Sequence, residues 1–252
     1  MLRDNLRDKK YFDEYIEFNI ETIEEYIDDL NHDQSLSIES KMKFSFGIVD
    51  YLLSLIHQRY SRGDNLTELK AHLEAALKYR IQQNSYANNL PANEQMNRIG
   101  SEELREDYLE KWLCWFAFSY NLDMGQAYHK QVLDLINNHG QDILFDKIAV
   151  QLGDRSREVG DSLLYKKRFE KLYKVIESTA ENRARLVLNY LNSWYKLIGS
   201  PDYHLMDTDA YDGYWCWEAA LVVKLYDIDD SSFIDHEYYP KDLVHWQDNS
   251  NN

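Results

Sequence analysis

The sequence is poor in residues that interrupt helices or link distant parts of a chain. It has three prolines, nine glycines and two cysteines in 252 residues. So few helix breakers favour long, continuous helices. Cys114 and Cys216 lie inside the apolar aromatic runs WLCWF and YWCWE, which is typical of buried, reduced thiols in the cytosol rather than of a disulfide framework.

Targeting and membrane segments are also absent from the sequence. The N-terminal stretch MLRDNLRDKKYFDEY is charged throughout and lacks the apolar core of a signal peptide. No apolar run approaches the about 18 residues that a membrane-spanning helix needs. We therefore expect a cytoplasmic protein that does not enter a membrane.

Known catalytic motifs are missing. There is no glycine-rich phosphate loop, no His-Glu-x-x-His pair, no Gly-x-Ser-x-Gly turn and no cysteine pair at metal spacing. We therefore expect no catalytic residue, no metal and no cofactor. Two weaker alternatives stay open: a metal held by His204 with Asp207 and Asp209, or by His236 with Glu237, and a carboxylate-dependent hydrolase centred on Glu218 with His204.

The charge balance limits the partners. The chain carries 44 acidic and 28 basic residues, a net charge of −16 and a pI near 4.9. Such a surface repels phosphates, which disfavours nucleic acid as a ligand. It favours a basic protein partner, or it keeps the protein soluble and has no partner.

Apolar residues recur at spacings of three and four, which predicts an all-α bundle of about eight to ten helices. In the first helix, Phe12, Ile16, Ile20 and Ile23 form the apolar stripe. The expected helices span residues 11–30, 37–63, 64–83, 101–122, 125–138, 141–152, 162–178, 180–198 and 214–226. Residues 84–100 are predicted to form a long loop, and Ser101 is predicted to be the N-cap of the next helix. We expect two packed helical domains, 1–122 and 123–252.

The stretch DTDAYDGYWCWE places Asp207, Asp209 and Glu218 at the first, third and twelfth positions of a possible calcium loop. The fifth position is Tyr211, and the glycine, Gly213, comes one position late, so the register is wrong for calcium. The acids up to Asp212 instead suit the N-terminus of the following apolar helix. Glu218 lies inside that helix and needs a hydrogen-bonding partner.

The C-terminal stretch carries a family resemblance. A Gly-Tyr-Trp-x-x-Glu-Ala-Ala helix (Gly213 to Ala220) is followed by Asp-Asp-Ser-Ser (Asp229 to Ser232) and Tyr-Tyr-Pro-x-Asp-Leu (Tyr238 to Leu243). These segments resemble the PoNi immunity family, and the helix opening DKKYFDEYIEFNIETIEEY resembles the amino-terminal domain of the same family.

The resemblance implies an all-helical immunity protein that binds and neutralises a PoNe-type DNase toxin of the kind delivered between bacteria by type VI secretion. An acidic inhibitor suits the basic surface with which a nuclease grips phosphate. A helical scaffold without a toxin, and an assembly of identical copies, stay open.

The exposed acids are the expected contacts with the toxin, whereas the family motif is expected to define the fold. The first group comprises Asp207, Asp209, Asp229, Asp230, Asp235 and Glu237 near the C-terminus and Glu24, Glu25, Asp28 and Asp29 on the first helix. The second group comprises Gly213, Tyr214, Trp215, Glu218, Tyr238, Tyr239 and Pro240.

Overall fold

The computed structural model describes residues 1–136, 138–208 and 211–247. Within these ranges the chain forms α-helices and short 3-10 turns and no strand, which confirms the predicted all-α class. The chain divides into two compact units, Met1–Glu103 with Tyr203–Gly213, and Leu104–Asp202 with Tyr214–Asn252. The first unit thus ends at Glu103, whereas the predicted domain boundary lies after residue 122. Residues 203–213 also belong to the first unit.

Three long helices make up most of the first unit: α1 (Lys9–His32), α2 (Ile38–Arg62) and α3 (Leu69–Asn88). A fourth, α4, is a single turn (Ile99–Glu102). Helix α2 packs against both α1 and α3, so its apolar residues are buried on two sides, among them Val49, Leu52, Leu53 and Ile56. Ser37 caps α2 at its start, and Gly63, the predicted end of this helix, closes it with a φ of 92°.

Polar side chains of α2 hold Asp212 in the first unit. Asn19 Nδ2 donates to Gln58 Oε1 at 2.8 Å, and Gln58 Nε2 donates to Asp212 Oδ1 at 3.0 Å. Ser54 Oγ also donates to the Asp212 carboxylate. The expectation that Asp212 caps the following helix was therefore wrong, because α2 already supplies the donors for its carboxylate.

The second unit contains seven helices among the described residues. They are α5 (Glu106–Asn121), α6 (Gln126–Ile136), α7 (Ile143–Gln151), α8 (Lys166–Glu177), α9 (Ala180–Leu197), α10 (Trp217–Leu225) and the one-turn α11 (Lys241–Val244). Helices α5 and α10 pack together, and the rings of Phe118 and Trp217 are 4.6 Å apart between centroids. Both helices are buried nearly all round over residues 112–119 of α5 and 217–223 of α10.

Two local predictions were wrong around residue 90. Helix α3 continues through Asn88 because Ala87 and Tyr86 pack on Met42 and Leu90, and this packing outweighs the low helix propensity of asparagine. Ser101 does not cap α5. It is buried inside α4, where its hydroxyl accepts from Gln83 Nε2 and donates to the Arg98 carbonyl.

The C-terminal helices also differ from the prediction. Helix α10 begins at Trp217 rather than at residue 214, since the backbone N–H of Cys216 donates to the Tyr238 carbonyl at 2.8 Å. Pro240 precedes the short helix α11. A proline at this place is compatible with a helix start because the first N–H groups of a helix need no intrahelical acceptor.

Candidate functional site: an acidic helix face and a buried carboxylate cluster

The outer face of α1 is strongly acidic. From Tyr11 to His32 the sequence contains eight Asp and Glu residues and no Lys or Arg. Four of these acids, Glu24, Glu25, Asp28 and Asp29, were predicted to be exposed, and the structure exposes them together with Glu17 and Glu21. The buried face of α1 carries Phe12, Ile16 and Ile23, whereas Ile20, expected in the apolar stripe, is 40% exposed.

Most of these acids have no cationic partner. Asp13 is paired with Lys9 at 2.6 Å and with Arg62 at 2.8 Å, and Asp28 with His32 at 2.8 Å. Glu14 lies 3.3 Å from Lys10. Among the described residues, the structure has no ion pair for the remaining five, Glu17, Glu21, Glu24, Glu25 and Asp29.

This arrangement lowers the stability of α1. Glu17, Glu21 and Glu25 follow one another at i,i+4 spacing, where like charges repel across one helical turn. Asp28 and Asp29 lie in the last turn, next to the negative end of the helix dipole. The acids of α1 therefore do not serve to stabilise the helix. Together they create a dense negative field on one face of the first unit.

The predicted C-terminal acids form more contacts with neighbouring residues of the chain than the acids of α1 do. Asp229 accepts from the backbone N–H of Ser231 at 3.0 Å, which lowers its pKa. Asp235 is paired with Lys241 at 2.6 Å. Glu237 and Asp207 are exposed, and Asp209 lies outside the described residues.

The expected exposure of Asp230 was wrong. Its side chain is buried and its Oδ2 accepts from the Tyr239 hydroxyl at 2.8 Å. His245 Nε2 lies 2.8 Å from the same oxygen. Asp230 therefore serves as an internal hydrogen-bond acceptor, because two residues that follow it in the chain fold back over it.

Glu218 lies at the centre of a buried polar cluster in the second unit. Its side chain is 2% exposed, and its Oε1 accepts from the Tyr190 hydroxyl at 2.7 Å and from Trp194 Nε1 at 2.9 Å. Arg168 lies 3.5 Å from the same oxygen. Helices α8 and α9 thus supply the partners of Glu218. The sequence predicted that Glu218 needs such partners but did not identify them.

Arg168 also contacts a second carboxylate, Glu110 of α5, at 2.9 Å. Desolvation raises the pKa of Glu110 to about 7 against the opposing effect of Arg168, and the negative charge of Glu218 adds to the rise. Burial likewise raises the pKa of Cys216 and of Tyr190. The cluster holds one guanidinium between two carboxylates, so a proton on Glu110 near neutral pH balances its charge.

The family motif residues pack around this cluster. Tyr238 stacks on Tyr195 with centroids 5.6 Å apart and lies 5.3 Å from Trp194. Tyr195 also meets Tyr214 edge-on at 5.0 Å. Gly213 has a φ of 101°, in the region that favours glycine. The motif thus joins the start of α10 to the segment 238–240 through ring contacts and the Cys216 to Tyr238 hydrogen bond.

Neither a metal ligand set nor a membrane helix stands out in the described part of the chain. Within residues 1–136, 138–208 and 211–247, no group of three His, Cys, Asp or Glu side chains has the placement to hold a metal ion. None of the helices in these ranges combines the length and apolar composition needed to cross a bilayer. Glu218 does not line the cavity beside α5 and α6 or the smaller cavity around Phe233, both formed by described residues.

Comparison with solved structures supports the fold. A crystal structure of protein PA2201 from Pseudomonas aeruginosa superposes with a TM-score of 0.72, covering 96% of this chain and 89% of that one. The two sequences are 17% identical, so the likeness concerns the fold alone. None of the curated proteins matches the chain.

Two family models match the sequence. The model described as "PoNe immunity protein (PoNi), N-terminal" covers residues 3–91, and the model described as "PoNe immunity proteins (PoNi), C-terminal" covers residues 140–243. The first range includes the acidic helix α1, and the second includes Glu218, Asp230 and the three motif segments. With both halves of the family present in their expected order, the chain belongs to the PoNi family of immunity proteins.

Proposed function

We propose that this immunity protein binds and neutralises a PoNe-type DNase toxin, in the cytoplasm of the bacterium that makes it, through the acidic face of α1. The observation that supports this most strongly is the set of five unpaired acids: Glu17, Glu21, Glu24, Glu25 and Asp29. Their mutual repulsion is relieved when a partner supplies cations, so the same charges that weaken the free helix favour the complex.

A nuclease is the partner whose chemistry fits this face. An enzyme that grips a DNA backbone carries Lys and Arg where the phosphates lie. An acidic helix covering those cations blocks DNA binding without chemistry, and long-range attraction speeds the encounter. Delivery of such a toxin by type VI secretion is part of the same proposal.

The C-terminal acids take a smaller part in this proposal. Asp229 and Asp235 already have hydrogen-bonding partners within the second unit, and Asp230 is buried. A partner would have to compete with these contacts. Glu237 and Asp207, both exposed, remain as secondary contacts.

Co-expression with the protein encoded beside the gene tests the proposal directly. We expect the immunity protein to restore growth, and calorimetry to give binding that weakens as salt rises, because exposed charges are screened. Absence of both rescue and binding would contradict the immunity function for that pair.

A matched pair of variants tests the role of α1. Neutralising the five acids of α1 (E17Q, E21Q, E24Q, E25Q, D29N) should weaken binding about tenfold or more and flatten its salt dependence, mainly through slower association. The control neutralises five exposed acids elsewhere (E74Q, E103Q, E106Q, E181Q, D161N) and removes the same net charge. An equal loss in both variants would show that net charge, and not the α1 face, drives binding.

The competing hypothesis, a hydrolase centred on Glu218, requires this carboxylate to be accessible. A catalytic carboxylate must reach a substrate, whereas Glu218 is 2% exposed and accepts two hydrogen bonds. If E218Q abolished a measurable hydrolysis while the protein stayed folded, the hydrolase would be the better description.

A further inference from the structure

An exposed aromatic side chain, Phe18, lies within the acidic face of α1. Phe18 is 45% exposed. Residues three and four apart are neighbours on a helix surface, so the exposed acids Glu14 and Glu21 lie beside it. Glu25, seven residues further along, lies two turns away on the same side of the helix. Carboxylates therefore border this phenyl ring towards both ends of α1.

Phe18 continues a line of aromatic residues along α1. Tyr15 precedes it by three residues, and Tyr11 precedes Tyr15 by four. The rings of Tyr11 and Tyr15 are 4.7 Å apart between centroids. Both tyrosines are partly exposed. Side chains at these spacings share one side of a helix, so the three rings form a stripe next to the acids.

Two exposed apolar residues of the segment 203–213 extend this stripe. Leu205 is 75% exposed and Met206 is 44% exposed. They stand at the end of the 3-10 turn Tyr203–Leu205 and directly after it. Their exposure means that the packing of the first unit gains little from them, although both are large apolar side chains.

Contacts within the first unit place Met206 beside the start of α1. The Arg7 guanidinium lies 4.7 Å from the centre of the Tyr11 ring and also donates to the Met206 carbonyl. The Tyr11 hydroxyl donates to the Thr208 carbonyl at 2.9 Å. The turn and the aromatic stripe therefore adjoin one another. We call this surface the apolar strip; its members are Tyr11, Tyr15, Phe18, Leu205 and Met206.

The apolar strip and its acidic border have the arrangement of a protein interface. A single exposed apolar residue is ordinary, whereas several on one surface are typical of an interaction site. Interfaces commonly have an aromatic and apolar centre within a polar rim. Here the rim includes Glu14 and Glu21 on α1, and the exposed Asp207, which follows Met206.

The charge of this rim indicates which partner fits. The basic residues near the start of α1 are engaged within the chain: Lys9 with Asp13 at 2.6 Å, Lys10 with Glu14 at 3.3 Å, and Arg7 through the contacts given above. From residue 11 to residue 32 the sequence has no Lys or Arg. A second copy of the chain would bring the same negative rim against the first. A partner with a basic rim avoids this repulsion.

We propose that the apolar strip receives apolar side chains of the toxin at the centre of the interface, while the surrounding acids pair with basic residues of the toxin; the inference rests on the proposed function. The two parts of the surface act on different steps. Long-range attraction by the acids speeds association. Contacts with Phe18 and Leu205 exclude water and slow dissociation, as interface hot spots do.

Binding kinetics separate these two parts. The partner is a catalytically inactive form of the protein encoded beside the gene, and association and dissociation are measured by biolayer interferometry at two salt concentrations. We expect F18A and L205A each to speed dissociation about tenfold or more, with the association rate and its salt dependence close to those of wild type. The variant that neutralises the five acids of α1 should instead slow association.

Two controls match these variants in exposure. I81A alters a residue of α3 that is 45% exposed, and M96A alters a residue of the turn Gln95–Arg98 that is 77% exposed. Both should dissociate at the wild-type rate. Equal acceleration by the controls would overturn the inference, because the loss would then not depend on the apolar strip.

An added charge gives the test a sign. L205E introduces an acid at an exposed position outside α1, so folding of the helix does not depend on it. An interface held by charge alone would bind a basic toxin more tightly after this change. The apolar strip requires the opposite result, faster dissociation. Tighter binding by L205E would overturn the inference.

The remaining outcomes distinguish this inference from the proposed function. If wild type binds and the five-acid variant associates slowly, while F18A and L205A dissociate as wild type does, only the inference fails. It also fails if these two variants turn a dimer of the free protein into monomers, measured by analytical ultracentrifugation, without changing dissociation of the toxin. If wild type neither binds the toxin nor restores growth, the proposed function fails and the inference fails with it.

Discussion

The hydroxyl of Tyr190 donates a 2.7 Å hydrogen bond to Oε1 of Glu218, from the middle of α9 to the first turn of α10. Both side chains are buried, so water cannot replace either partner. The bond supplies a donor to a carboxylate inside one of the most apolar helices of the chain, and we predict that Glu218 stabilises the second unit.

The first prediction concerns Glu218. E218Q should lower the free energy of unfolding by about 1.5–3 kcal/mol, because the hydrogen bonds from Tyr190 and Trp194 lose a charged acceptor and Arg168 loses a counter-ion. Urea denaturation followed by circular dichroism measures this change. E106Q, which alters an exposed acid of α5, should stay within about 0.5 kcal/mol of wild type. Unchanged stability of E218Q would contradict the structural role.

The second prediction concerns the pH dependence of stability through Glu110. Desolvation raises its pKa to about 7, above the ordinary range of a glutamate, so the folded state holds this proton more tightly than the unfolded state. The stabilising contribution is complete below about pH 4.5 and is lost as pH rises through about 7.

Comparison of wild type with E110Q across this range measures the effect. The difference in unfolding free energy between wild type and E110Q should fall between about pH 4.5 and 7 and level off above it. E74Q, at an exposed acid of α3, serves as the control with no such trend. A flat difference between wild type and E110Q would show that Glu110 titrates normally.

The third prediction links the stability of α1 to its function. E21K turns two repulsive i,i+4 contacts, with Glu17 and Glu25, into attractive ones and should raise stability by roughly 0.5–1 kcal/mol. The same change should slow association with the toxin. E21Q should fall between wild type and E21K in both thermal stability and association rate. If E21K were stabilised and bound the toxin at the wild-type rate, Glu21 would lie outside the interface.

The fourth prediction separates two adjacent acids. D230N should destabilise the second unit by about 1.5–3 kcal/mol, because Tyr239 and His245 lose a charged acceptor. D229N, at an exposed position in a local turn, should change stability much less. Thermal unfolding of the two variants under the same conditions gives the comparison. A larger effect from D229N would contradict the burial of Asp230.

Local patterns in the sequence determined much of this fold. The spacing of apolar residues predicted the all-α class and the long helices, and Ser37 and Gly63 marked the ends of α2 correctly because capping depends on neighbouring backbone groups. The acidic face of α1 was equally visible, since exposed side chains on a helix repeat with the helical period. The C-terminal motif resembled the PoNi family, and the match to both halves confirmed it.

Only the tertiary structure decided how polar groups are satisfied. Asp212 looked like a helix cap and is bound instead by Ser54 and Gln58, whereas Asp230 looked exposed and is covered by Tyr239 and His245. Each outcome depends on donors distant in the sequence, which no local pattern encodes.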